Sequence, residues 1–358
     1  MDALPPISGR VAVFSGAGVP HELRTAPLPA LQRGELLVRN DFATLCGSDL
    51  HTYSGRRHER CPTILGHEVV GTLAARGPHA PERDVRGAPL RVGDRITWAV
   101  FANDPDDPRS RRGMPQKAEN LFKYGHERLT ADSGFHGGFG EFTVLRRHSH
   151  VARVADHVPD EAAAMINCAI ATAAGALRLA GDLSQGRVLV LGAGALGLAV
   201  AAQAHAAGAA HIAVVDPSPS RCERALPFGA ACARTAVDPE QRYEVAIDCS
   251  GAPAAMRAGL RALEVGGTAV WVGAVLPQPP VPVDAEQVVR RLLTIRGLHN
   301  YDTGDLVRAV QFTEAHHRTY PFAELVQVRF PLADLDAAFA HALATGPWRV
   351  GVALREPD

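Results

Sequence analysis

Three short stretches hold side chains able to do metal and proton chemistry. Residues 45–51 read LCGSDLH, residues 65–68 read LGHE, and residues 165–177 read MINCAIATAAGAL. Cys46 and His67 stand 21 residues apart, which is not a zinc-finger spacing. A catalytic zinc needs only three protein ligands from distant segments and one open position. Cys46 and His67 supply a soft thiolate and an imidazole, and Cys168 is the third candidate. Cys61, six residues before His67, is a rival by type only and reads as packing. The six cysteines are scattered, which points to thiols or metal ligands in a reducing compartment and not to a disulfide framework.

A second chemical pattern lies downstream. In RVLVLGAGALGLAVAAQA, Gly192, Gly194 and Gly197 form G-x-G-x-x-G, with Leu196 inside the turn. The pattern follows a strand and opens a helix, which is the context a dinucleotide needs. Gly192 permits the tight turn, Gly194 lets backbone approach a pyrophosphate, and Gly197 lets helix and strand pack closely. The free N–H groups of the helix N-terminus then face the phosphates. The next strand, HIAVVD, ends in Asp216. An acid there accepts ribose hydroxyls and repels a 2′-phosphate, so the expected cofactor is NAD. Arg221 and Arg224 read as adenine-side packing or solvated helix charges.

These residues sit on two textures of chain. From residue 9 to about 155, short strands and turns alternate, as in VAVF, ELLVRNDF and RVGDRITW. That texture fits a compact β-rich domain or irregular barrel. From about residue 160, apolar strands such as RVLVL, HIAVVD and YEVAIDCSG alternate with alanine-rich helices. Such alternation implies a parallel sheet covered on both faces. After residue 300 come another helix, a strand-like LVQVRF and a last helix.

Whole-chain properties limit the function. At 358 residues, two domains are expected. Lys plus Arg number 37 against 38 Asp plus Glu, so no basic field exists to draw nucleic acid or anionic lipid. No apolar run approaches a membrane span, and the first residues lack a secretory pattern. A cytoplasmic enzyme acting on a small molecule is the expectation.

The order CGSD–H, GHE, a cysteine before the cofactor domain, then GAGALG resembles the zinc-dependent medium-chain dehydrogenase/reductase family, which includes the alcohol and polyol dehydrogenases. The resemblance covers nearly the whole chain. It implies an α/β protein in which a Rossmann doubly wound parallel sheet accompanies a GroES-like β-rich catalytic domain. The expected catalytic domain is 1–165 with 300–358, and the expected NAD-binding domain is 166–299. Carried over by residue, Cys46, His67 and Cys168 match the catalytic zinc ligands, and Glu68 a nearby acid able to reach the metal. Asp49 matches the acid that holds the ligand histidine. Ser48 matches the hydroxyl that receives the substrate proton, and His51 the end of its relay to solvent. Zinc serves such a reaction as a Lewis acid toward the alcohol oxygen, and the nicotinamide accepts hydride. Histidine, with an ordinary pKa of about 6.5, suits a proton exit. Further carry-overs put Arg349 near the pyrophosphate, Val272 and Leu298 at the carboxamide, and Thr172 beside the nicotinamide. A homodimer or homotetramer, joined through an edge strand near TAVWVGAV, is also implied.

The expected substrate pocket draws on Arg56, Arg57, Asn167, His299 and Asn300, with Tyr53, Trp98, Val100 and Tyr301 around them. This set is more polar than a simple alcohol requires. SGRR could meet an anion. SGRR and GMPQKAENLFKYGHE also resemble members of the family linked to phosphonate and cyclitol metabolism. The favoured reaction is hydride transfer between NAD(H) and a secondary alcohol or ketone, a polyol or cyclitol, phosphorylated forms included. Two alternatives stand beside it: reduction of an activated C=C bond, and a catalytically idle NAD-binding homologue.

One segment departs from the family pattern. Its loop often carries four cysteines for a structural zinc, and here those positions are Asp104, Asp107, Ser110 and Ala118. Two carboxylates, a serine and an alanine make a poor tetrahedral zinc site. One catalytic zinc and no structural zinc is the expectation. Arg109, Arg111, Arg112 and Lys117 are left to hold a more mobile lobe by ion pairs.

Overall fold

The computed structural model describes residues 8–130 and 134–355. They form two compact units. One runs up to Cys168 and takes in Asp302–His317 and the chain from Phe322 onward; the other is Ala169–Tyr301 with Arg318–Pro321. The chain divides just after Cys168, so all three candidate ligands belong to the first unit.

The first unit is β-rich. Its main sheet orders strands Val326–Pro331, Arg349–Ala353, Leu36–Thr44, Glu68–Arg76, Arg95–Ala102 and Phe122–Lys123, with Phe142–Leu145 and Ser149–Arg153 added alongside. A smaller sheet joins Glu22–Pro27, Ser8–Phe14 and Thr63–Ile64. Val38, Val69, Leu73, Ile96, Trp98 and Phe339 fill the core between these elements. Register matters most at one point. Thr44 lies opposite both Glu68 and Gly351, which brings residues from the two ends of the chain to one buried spot.

The second unit is a six-stranded, all-parallel sheet in the order Cys232–Arg234, His211–Val215, Arg187–Leu191, Tyr243–Asp248, Leu263–Trp271, Thr294–Gly297. Val188, Leu189 and Val190 are wholly buried, as strands covered on both faces must be. The α/β reading with a Rossmann sheet and a GroES-like β-rich unit is therefore the fold.

The alanine-rich run after residue 160 is not one helix. An α-helix over Asp160–Ala164 gives way to a π-helical turn at Ile166–Ile170 before Ala171–Ala180 resumes α geometry. Such turns cluster at functional sites because the extra residue re-aims side chains. This one carries Asn167 and Cys168.

Candidate metal and proton-transfer site

Cys46 caps the short helix Gly47–Tyr53. Its N–H donates to Asp49 Oδ2 at 3.0 Å, which fixes the first turn. Asp49 is buried, and its Oδ1 faces His67 Nδ1 at 3.4 Å, with no nearer partner for either atom. An ionised carboxylate on that side keeps the ring proton on Nδ1 and leaves the Nε2 lone pair for the opposite side. Ser48 Oγ lies 3.4 Å from that Nε2. Ser48 and His51, three residues apart on one helix, share a face.

Cys168 comes to the same place from the π turn. The ligand atoms of Cys46, His67 and Cys168 all lie within 4.8 Å of one another. The two sulfurs are 3.9 Å apart. That is far too long for a disulfide, whose sulfurs lie about 2.05 Å apart. It matches the ~3.8 Å that two thiolates at about 2.3 Å from one tetrahedral zinc must keep. The electrostatics fit a cation as well. The contact with Cys168 pulls the Cys46 thiol well below its ordinary value, against burial and with help from His67. The same contact, burial and the Cys46 charge push Cys168 well above it. A bound divalent ion resolves this conflict because both sulfurs then face a positive charge. Among the described residues this is the one such cluster of His, Cys, Asp and Glu.

Glu68 lies beside the ligands and is fully buried. Its carboxylate accepts from Arg349 Nε at 2.6 Å, Arg349 Nη2 at 2.7 Å and Thr44 Oγ1 at 2.6 Å. Arg349 Nη1 donates to the Trp348 carbonyl. In this unit the guanidinium is thus committed to Glu68.

Asn167 corrects the pocket expectation. It is fully buried, and its Nδ2 donates to the carbonyls of His67 and Trp98, each at 2.9 Å. It staples the ligand loop to the strand Arg95–Ala102 and has no surface for a substrate. Arg57 also differs from the expected anion contact, since its Nε donates to Glu59 at 2.7 Å. Arg56 remains exposed. Cys61 stands outside the ligand cluster and packs against the core.

His51 is half-buried. Burial, then the charges of Arg56 and Arg57, lower its pKa below the ordinary 6.5, and only Cys46 pulls the other way.

Sequence reading missed His126. Its ring lies against His67, with centroids 5.4 Å apart, and its Nδ1 is 2.9 Å from Glu59 Oε1. The available signal was the repeated tripeptide: GHE occurs at 66–68 and again at 125–127.

The lobe that lacks the four cysteines is held differently from the expected ion pairs. Asp107 Oδ1 accepts from the N–H groups of Arg109 and Ser110, and Oδ2 from that of Glu119. One carboxylate thereby joins the two ends of the loop. Asn103 Nδ2 donates to Ser110 Oγ, and Ala118 is buried. The pairs Arg111–Asp106 and Arg109–Glu119 do form, but on the exposed face, where they count for little.

In the second unit, Gly192 has φ +101, a conformation that favours glycine. A Cβ on Gly197 would stand 1.8 Å from the Gly192 carbonyl oxygen, so only glycine fits. A Cβ on Gly194 would meet only Arg221 Nη1, at 3.8 Å, which leaves its face open. Arg221 Nη1 is thus the one side-chain atom near that face of the turn. Asp216 accepts from Ala193 N at 2.9 Å and Ser218 N at 3.0 Å, holding the turn shut. Val272 and Leu298 follow the strands Leu263–Trp271 and Thr294–Gly297. His299 and Asn300 come next, with Asn300 at φ +58.

Comparison with known proteins agrees with this chemistry. Residues 32–156 match the alcohol dehydrogenase GroES-like domain, and residues 195–315 match the family described as zinc-binding dehydrogenase. The L-threonine 3-dehydrogenase of Edwardsiella ictaluri is 28% identical over 343 residues, covering 91% of this chain and 90% of that protein. The L-threonine 3-dehydrogenase of Alteromonas mediterranea is 28% identical over 349 residues, with 92% and 91% covered. Among solved structures, an alcohol dehydrogenase of Thermotoga maritima aligns at a TM-score of 0.90 and 24% identity, over 97% of this chain and 99% of that one. L-idonate 5-dehydrogenase of Escherichia coli aligns at 0.82 and 20%, over 97% and 98%. With a three-ligand zinc-type centre in one unit and a glycine-turn Rossmann sheet in the other, the chain belongs to the zinc-binding medium-chain alcohol dehydrogenase family and is a zinc-dependent, NAD(P)-linked alcohol dehydrogenase.

Proposed function

We propose that the protein transfers hydride between NAD(H) and a secondary alcohol or ketone of the polyol or cyclitol class. The observation that carries this is the convergence of Cys46, His67 and Cys168 next to a helix that presents Ser48 and His51 on one face. A zinc ion held by the three ligands supplies a Lewis acid for the alcohol oxygen, and NAD supplies the hydride acceptor. The chain's own residues do the rest. Asp49 orients His67. Ser48 Oγ accepts the hydroxyl proton as it gives up its own toward His51, which is kept neutral by burial and the nearby arginines and releases a proton to solvent. Glu68 and Arg349 put a neutral, buried pair behind the ligands. Asp216 at the end of its strand favours NAD over NADP. Arg56, exposed, is available to a phosphorylated form of the substrate.

The relatives support a polar substrate, since L-threonine and L-idonate both carry several polar groups. A homodimer or homotetramer is part of this reading. The strand within TAVWVGAV is flanked on both sides in its sheet, so the edge beside it, Thr294–Gly297, is the strand proposed to meet a second copy. Small-angle scattering of a single monomeric particle would count against it.

The test is a screen of polyols, cyclitols and their phosphates with NAD and NADP on protein of known metal content. One zinc per chain with alcohol-dependent NADH production supports the reading. Enone reduction by metal-free protein, or no turnover with cofactor bound, would favour the two alternatives.

A further inference from the structure

The second GHE is built onto the first. Gly66 and Gly125 both have left-handed φ, at +89 and +79. A Cβ on Gly125 would lie 2.5 Å from the Gly66 carbonyl oxygen, so the two backbones touch. Leu129 N donates to the Pro62 carbonyl at 2.7 Å, and Thr63 Oγ1 to the Glu127 carbonyl at 2.6 Å. These bonds clamp the segment before the ligand loop to the segment around His126. The clamp sets the His126 ring against the His67 ring, tilted by 33°.

Each histidine has a carboxylate on Nδ1: Asp49 for His67 and Glu59 for His126. Glu59 also accepts from Arg57. With a guanidinium already donating to it, this carboxyl serves as an acceptor. An ionised carboxylate has no proton to give, so Nδ1 of His126 is the donor and Nε2 carries a lone pair. That Nε2 has no hydrogen-bond partner among the described residues, and it is not enclosed. The side chain keeps 12% of its surface open. His126 lies outside the cluster of metal-binding atoms. What remains is a hydrogen-bond acceptor, held in one tautomer, one side chain away from the metal centre.

We propose that His126, oriented by Glu59, is a specificity-determining residue: its Nε2 accepts a hydrogen bond from a hydroxyl or ammonium group on the carbon next to the reacting carbinol. The inference rests on the alcohol dehydrogenase reading and deepens it. It favours a donor group over an anion at this position, because a lone pair repels a carboxylate or phosphate. The positive charge of Arg57 is spent on Glu59.

Four compounds of similar size test this on the zinc-loaded protein with NAD: 1,2-propanediol, 1-amino-2-propanol, 1-methoxy-2-propanol and 2-butanol. The diol or the amino alcohol should exceed both the ether and the mono-ol in kcat/KM by roughly tenfold, the worth of one such hydrogen bond. The better of the two identifies the donor. Calorimetric Kd values measured with NADH bound should follow the same order. His126→Phe should bring the four compounds close together, and His126→Gln, which keeps an acceptor oxygen, should restore part of the preference. Glu59→Gln, which releases the tautomer, should weaken it without removing the ring. An ether as good as the better of the diol and the amino alcohol in the unaltered protein would overturn the proposal, as would a donor preference untouched by His126→Phe. Failure to oxidise any of the four would instead count against the alcohol dehydrogenase reading.

Discussion

Arg349 grips Glu68 through two parallel N–H···O bonds of 2.6 and 2.7 Å, inside a unit whose sheet brings together residues 281 positions apart. Thr44 adds a third bond to the same carboxylate. The pair is buried next to two cysteines and a histidine that carry or share charge. Its net neutrality keeps the acid from competing as an uncompensated anion.

Breaking this pair should be costly. Arg349→Ala leaves a buried carboxylate with one hydroxyl partner, and a loss of about 3–5 kcal/mol is expected. The double substitution Glu68→Leu with Arg349→Met removes both charges and should cost clearly less than the sum of the single changes. Chemical denaturation of the four proteins in a double-mutant cycle measures this. Additive losses would mean that the two side chains do not stabilise one another.

The metal site makes a stoichiometric prediction. Cys46→Ser and Cys168→Ser should each lower bound zinc from one ion per chain toward none, since a hydroxyl is a poor replacement for a thiolate. Both should abolish alcohol oxidation and leave dinucleotide binding intact, because Gly192, Gly194 and Asp216 belong to the other unit. Metal analysis and NADH fluorescence titration read the two effects separately. A variant that keeps its zinc would exclude that cysteine as a ligand.

His51 makes a prediction in pH. Oxidation requires a neutral His51, so kcat/KM should rise with pH through its pKa, which lies below the ordinary 6.5. Removing one nearby positive charge favours the imidazolium, so Arg56→Gln should move this limb to higher pH. His51→Gln should remove the limb and slow turnover in the acid range. A pH profile of kcat/KM for the three proteins decides it. A limb that stays in place in Arg56→Gln would mean that another group sets it.

What could be read from the sequence was chemistry specified by local pattern. The glycines at 192, 194 and 197 report a turn whose sterics are set within six residues, and the structure gives each the space or crowding expected. Cys46, Asp49 and Ser48 fall on one helical turn. Asn167 is buried and not pocket-facing, because its Nδ2 is taken by two carbonyls from other segments. His126 was missed because its meaning arises only when residues 62–67 and 125–129 are clamped together. The pairing of Arg349 with Glu68 was not legible, because only the sheet register brings the two together. In each case the deciding partner was far away in sequence.

The lobe without cysteines makes the last prediction. A four-thiolate zinc site ties a loop together by holding four points of chain to one ion. Here Asp107 ties three backbone N–H groups, those of Arg109, Ser110 and Glu119, to one carboxylate. The exposed arginine pairs around it are screened by solvent and cannot take over. Asp107→Ala should therefore free the loop. Amide hydrogen exchange at residues 109, 110 and 119 should speed up, while bound zinc stays at one ion per chain and exchange in the sheets does not change. Asp107→Asn keeps one acceptor oxygen and should fall between the two. Arg111→Ala, which removes only an exposed pair, should leave the loop's exchange as it was. If Arg111→Ala loosens the loop as much as Asp107→Ala does, ion pairs hold it after all. If either change lowers the zinc content, a metal is bound there.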